Sequence, residues 1–141
     1  LIQSQMVRPT PFNTLFWGTV AQTPNDELIM GYARLWDSIE SISFSSIIPK
    51  HSNQLDLIST REDVQSLLRI TNGYYVINQT ESTIIINDAR FGRIGGWQQL
   101  NSGNFVFSYR FDFQTQTWSQ YRTKMTNTKQ MLESLLQRIV D

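Results

Sequence analysis

Phe105, Phe107, Tyr109, Phe111 and Phe113 alternate without interruption with Val106, Ser108, Arg110 and Asp112. A helix would scatter those five rings around its circumference. A strand gathers them on one side, so the segment reads as a strand with one heavily buried face. Gln114-Thr115-Gln116 then supplies a turn, and Thr117–Arg122 is the expected partner strand.

Two more hairpins are expected upstream. Thr14–Val20 and Leu28–Trp36 are β-rich and flank the turn-forming cluster Thr23-Pro24-Asn25-Asp26-Glu27. Tyr74–Asn78 and Thr83–Asp88 flank Gln79-Thr80-Glu81-Ser82. Between these hairpins, Ser59 and Glu62 stand at capping-box spacing before the apolar stripe Val64, Leu67, Leu68. Asn72-Gly73 stops that helix. A closing helix from about Asn127 carries Met131, Leu132, Leu135, Leu136, Ile139 and Val140 on one side. The expectation is an α+β fold: an antiparallel sheet of about six strands built from hairpins, with two amphipathic helices packed on it. Arg8-Pro9-Thr10-Pro11 separates a tail, residues 1–8, from a single domain spanning 9–141.

Composition narrows the chemistry. Twelve Lys and Arg balance twelve Asp and Glu, so the cationic surplus that phosphate neutralisation requires is missing and no nucleic-acid partner is expected. Without Cys there are no disulfides, thiol nucleophiles or thiolate metal sites. The lone His51 excludes a multi-histidine metal cluster and leaves one possible imidazole base. No apolar run approaches the roughly 20 residues of a membrane span, so the piece reads as soluble.

The richest polar segment is Asp88-Ala89-Arg90-Phe91-Gly92-Arg93-Ile94-Gly95-Gly96-Trp97. Asp88 and Arg90 lie two residues apart at a strand end and share a face. Two readings follow: a phosphate-cradling glycine loop, or an Asp–Arg ion pair that fixes the loop. The segment lacks a Gly-Lys-Ser/Thr ending and a following helix, which favours the ion pair.

Pro9-Thr10-Pro11-Phe12-Asn13-Thr14-Leu15-Phe16-Trp17, Gly31-Tyr32, Gly73-Tyr74-Tyr75 and Asp88-Ala89-Arg90-Phe91-Gly92 occur in that order. In order and spacing they resemble the C-terminal soluble region of the YdjM-like predicted membrane-bound metal-dependent hydrolases. The likeness runs from Pro9 to Gly92. It implies a parent in the bacterial inner membrane whose upstream spans carry His and Asp metal ligands. A divalent metal is thus implied for that region, and no cofactor for this domain. Leu1 in place of Met fits a piece lying downstream of such a region.

The leading expectation is an accessory domain that binds a ligand, a partner, another copy of itself or its own N-terminal membrane domain, and has no catalytic residue of its own. Its candidate ligand residues are Asn13, Tyr75, Asp88 and Arg90, with Arg90 as anion anchor and Asp88 orienting it. The alternatives are a structural module that forms a homo-oligomer, and an independent metal-free hydrolase using His51 as base.

Overall fold

The computed structural model describes residues 2–9, 15–96, 98–122 and 128–140. The fold is mixed α and β, with two antiparallel sheets in place of the one expected. The first sheet takes the order β1 (Ser4–Pro9), β2 (Phe16–Thr23), β3 (Glu27–Arg34), β4 (Ser43–Phe44). β5 (Ile48–Pro49) also pairs with β3. The second sheet is a meander of β6 (Tyr75–Gln79), β7 (Thr83–Arg93), β8 (Phe105–Asp112) and β9 (Thr117–Arg122). All three expected hairpins form. Among the described residues the six expected strands become nine, because residues 4–9 of the supposed tail and two short segments after Ser38 also pair.

Residues 4–9 run antiparallel to β2, from Ser4 opposite Gln22 to Pro9 opposite Trp17. Pro9 fits because this is an edge strand, where a missing N–H is tolerated. Trp36, placed in the second strand by its sequence, lies beyond β3 and is exposed.

The second sheet is covered on both faces. Ile77, Ile84, Ile86 and Phe111 pack against Leu55, Ile58, Val64 and Leu67 from the segment containing α1 (Glu62–Thr71). Val76, Ala89 and Phe105 pack against Val20, Leu28 and Met30 of the first sheet. Phe105 has therefore left the aromatic row to which it belongs by sequence. β7 bulges between Asp88 and Arg93, so that Arg93 rather than a nearer residue opposes Phe105. That extra chain carries Phe105 into the other cluster.

α1 buries Val64 and Leu67 as its stripe requires. Its start differs from the capping box. Arg61 is the N-cap without a side-chain cap bond, and the Ser59 hydroxyl donates instead to the Asp56 carbonyl at 3.3 Å. Asn72 takes the left-handed turn at φ 51°, followed by Gly73 at φ 82°. α2 (Thr128–Val140) forms as expected; of its apolar stripe Leu132, Leu136 and Val140 are exposed, and the side chains of Met131, Leu135 and Ile139 lie outside those described.

One residue stitches the sheets together. The Lys50 N–H donates to the Asp26 carbonyl at the β2–β3 turn, at 3.0 Å. Its own carbonyl accepts from Ile77 N–H on the outer edge of β6, at 2.8 Å. The segment after β5 thereby covers an edge that would otherwise be open to pairing. No helix among the described residues is long and apolar enough to cross a membrane.

Candidate functional site

The residues singled out by sequence divide among three places. Tyr75 and Asp88 are cross-strand partners on β6 and β7, yet their polar atoms serve different neighbours. Asp88, with its side chain 1% exposed, is held by Arg90, whose Nη2 lies 2.7 Å from Oδ2 and Nε 3.0 Å from Oδ1. The Arg90 backbone N–H also donates to Oδ1 at 3.0 Å. The Asp88 hydrogen bonds raise the Arg90 guanidinium above its ordinary range against the cost of burial. The pair satisfies itself, as the ion-pair reading requires, and Arg90 stacks 5.1 Å from the Phe91 ring centre. Asn13 lies outside the described residues.

The Tyr75 hydroxyl meets the Ser52 hydroxyl at 3.1 Å, and Lys50 Nζ sits 4.4 Å from the Tyr75 ring centre. Ser52 donates through both Oγ and N–H to Asp26, and Lys50 Nζ is 3.6 Å from the same carboxylate. Lys50 is buried, which lowers its pKa, while Asp26 opposes that shift. Burial acts against the charged form of Asp26, but Ser52 and Lys50 outweigh it and hold the carboxyl below its ordinary value. The cluster clamps the β2–β3 turn to β6. Every polar group in it is engaged.

The glycine loop is shaped by a side chain from the other sheet. A Cβ on Gly96 would fall on the Tyr32 hydroxyl and 2.8 Å from Tyr32 Cζ; one on Gly92, at φ 70°, would lie 2.7 Å from the same hydroxyl. The Tyr32 ring and hydroxyl thus fill the space beside Gly92 and Gly96. Burial raises its hydroxyl pKa, with the Arg93 backbone and charge pulling the other way.

A cleft of about 420 Å³ lies between β5 and the β6–β8 surface. Pro49 and His51 form one wall. The floor is a hydrogen-bonded polar row across three strands. Ser108 Oγ donates to Asn87 Oδ1 at 2.8 Å, and Asn87 Nδ2 donates to Asn78 Oδ1 at 2.7 Å and to the Val76 carbonyl at 3.0 Å. Arg93 and Phe105 close the far end, the guanidinium 5.0 Å from the ring centre. His51 lines the cleft from an exposed position at φ 58°, and its ring has no hydrogen-bond partner among the described residues.

Sequence reasoning missed the floor. A usable signal was present: Asn87 ends a run of isoleucines inside a strand, where a buried amide needs partners. Among the described residues no three His, Asp or Glu side chains gather as a metal-binding group. The cleft lining offers a divalent cation one imidazole and no carboxylate, so this donor set does not suit a hard divalent ion. Comparisons with protein-family models, curated proteins and solved structures find no match. The resemblance to the membrane-bound hydrolases rests on the motif residues alone.

Proposed function

We propose that this chain is a binding domain, accessory to a membrane-bound hydrolase of the family it resembles, with the cleft between β5 and β6–β8 as its ligand site. The observation that carries this reading is the chemistry of the lining. Its polar groups are amides, one hydroxyl, one imidazole and one guanidinium, with no carboxylate among the described lining residues. Such groups recognise a polar molecule; they do not make a nucleophile. Ser108 donates its proton to an amide oxygen, which is no base, and His51 has neither a hydroxyl nor a carboxylate partner. The volume falls within the range of small-molecule pockets.

The test is an NMR titration of the full chain with a panel of small neutral and charged polar compounds. Saturable shifts at Asn78, Asn87 and Asn104 are expected. A panel that leaves those amides unmoved overturns the reading.

A second reading, self-association or docking on the parent's membrane domain, draws on the stretch after β3. Leu35, Trp36, Ile39, Phe44 and Ile47 are all exposed there, Ile39 at 86%. Apolar groups left in water at this density are characteristic of interaction surfaces. Sedimentation equilibrium of the chain alone decides the self-association form, since a monomer at high concentration rules it out.

A further inference from the structure

Met6, Val20 and Met30 stand opposite one another on β1, β2 and β3 and point into the core between the sheets. Residues one step along each strand therefore point the other way. The middle row of that outward face is Val7, Thr19, Gly31 and Phe44. Pro9, Trp17 and Ala33 form the row on one side of it, and Gln5, Ala21 and Ile29 the row on the other. A sheet with one face in water sets polar residues there, alternating with the apolar ones beneath. Here the alternation fails, and the three rows carry no charged side chain. The first charge on the face is Glu27, two residues from Ile29 beside the β2–β3 turn, where Thr23 Oγ1 donates to it at 3.2 Å.

None of these outward residues belongs to the apolar clusters of the core. Val7 and Phe44, on the two edge strands, are each more than half exposed, and Leu35, two residues beyond Ala33, about two-thirds. A Cβ on Gly31 would lie 2.7 Å from the Phe44 ring, so glycine lets that ring lie against the strand. Contiguous apolar surface of this kind marks an interaction site.

We infer that this face is covered by the same face of a second copy of the chain, the two sheets stacking as a sandwich about a two-fold axis. This assigns a surface to the self-association reading and rests on it; the ligand reading of the cleft is independent of it. The missing charge selects the occupant. Lys and Arg, which draw a protein to an anionic bilayer, are absent from the rows. A partner recognised by charge would find nothing there to pair with. Two copies meet without like-charge repulsion, and a two-fold running across the strands puts the two Glu27 carboxylates at opposite ends of the contact. The face extends about 20 Å along β2 from Leu15 to Ala21 and about 14 Å from β1 to β4. With the side chains at its margins, that is on the order of the 800 Å² per partner that a standard interface buries.

The test is sedimentation equilibrium of the full chain across the micromolar range, where a monomer–dimer equilibrium is expected. Val7→Lys is expected to weaken the dimer about tenfold or more, because it buries a charge with no partner. Leu35→Lys, at the other side of the face, should act likewise, and it carries the test should the first variant not fold. Thermal unfolding at dilution verifies the fold of each monomer. Ile39→Glu, in the exposed stretch after β3 but outside the rows, is expected to change the dimer by less than about threefold.

A dimer that both lysine variants spare overturns the inference; if Ile39→Glu breaks it, the contact lies on the stretch after β3 and the self-association reading stands. A chain that stays monomeric overturns both. A monomer that floats with neutral phosphatidylcholine vesicles overturns both in favour of a lipid surface.

Discussion

Arg90 grips Asp88 from two residues further along the same strand, its Nη2 2.7 Å from one carboxylate oxygen and its Nε 3.0 Å from the other. The acid is buried and the base keeps some contact with solvent, 16% of its side chain, so the two ends are not equivalent. Arg90→Met strands a buried carboxylate and is expected to cost about 3–5 kcal/mol. Asp88→Asn leaves a guanidinium that reaches water and is expected to cost less. Urea unfolding measures both. If the pair is structural, neither change weakens ligand binding at the cleft by more than about twofold in folded protein.

The contact between Tyr32 and the glycine loop sets a second expectation. Gly96→Ala drives a methyl into the Tyr32 ring, and overpacking of that kind costs about 1–3 kcal/mol. Tyr32→Phe removes the hydroxyl but leaves Cζ in place. The double variant should therefore recover part of the Gly96→Ala loss, and a double-mutant cycle of thermal unfolding reads the coupling.

The Asp26–Lys50 clamp predicts a pH dependence of stability. Asp26 is held below its ordinary 3.8, so its contribution is complete above that value and disappears as pH falls through the lower folded-state value. Lys50 is held below 10.5. There the unfolded chain binds more protons, so stability rises with pH up to that value. Asp26→Asn should flatten the acid limb of melting temperature against pH. It should also start the alkaline rise earlier, because Lys50 loses its carboxylate. Part of the acid limb remains: the Arg61 hydrogen bond to Asp63 and the Thr115 backbone N–H bond to Asp112 lower those carboxyls too.

Leu136 on α2 is 60% exposed. Leu136→Glu is expected to change stability by no more than about 0.5 kcal/mol, as for a surface position. Leu67→Ala, on the buried stripe of α1, is expected to cost about 2–5 kcal/mol. Thermal unfolding of the two variants side by side checks the contrast.

Local pattern was enough for the hairpins and for α1, because alternation and turn chemistry act within a few residues. It was not enough for β1. Ser4–Pro9 carries no alternation and becomes a strand only because β2 offers it an edge. Spacing of two made Asp88 and Arg90 legible as neighbours. Arg93 was visible only as a loop cation, since its place at the end of the cleft depends on a bulge and on Phe105 changing sides. The floor joins strands from opposite sides of two turns, and no local window contains it.

Lys50 gives its N–H to one sheet and its C=O to the other, and the cleft wall at Pro49 and His51 flanks it in the chain. The wall therefore hangs from the first sheet while the floor belongs to the second. A guest that spreads the cleft has to stretch one of those two backbone bonds, and one that fits without spreading it restrains both. Occupancy and intersheet spacing are then thermodynamically linked, and the exchange rates of the Lys50 and Ile77 amides become a gauge of how well a ligand fits.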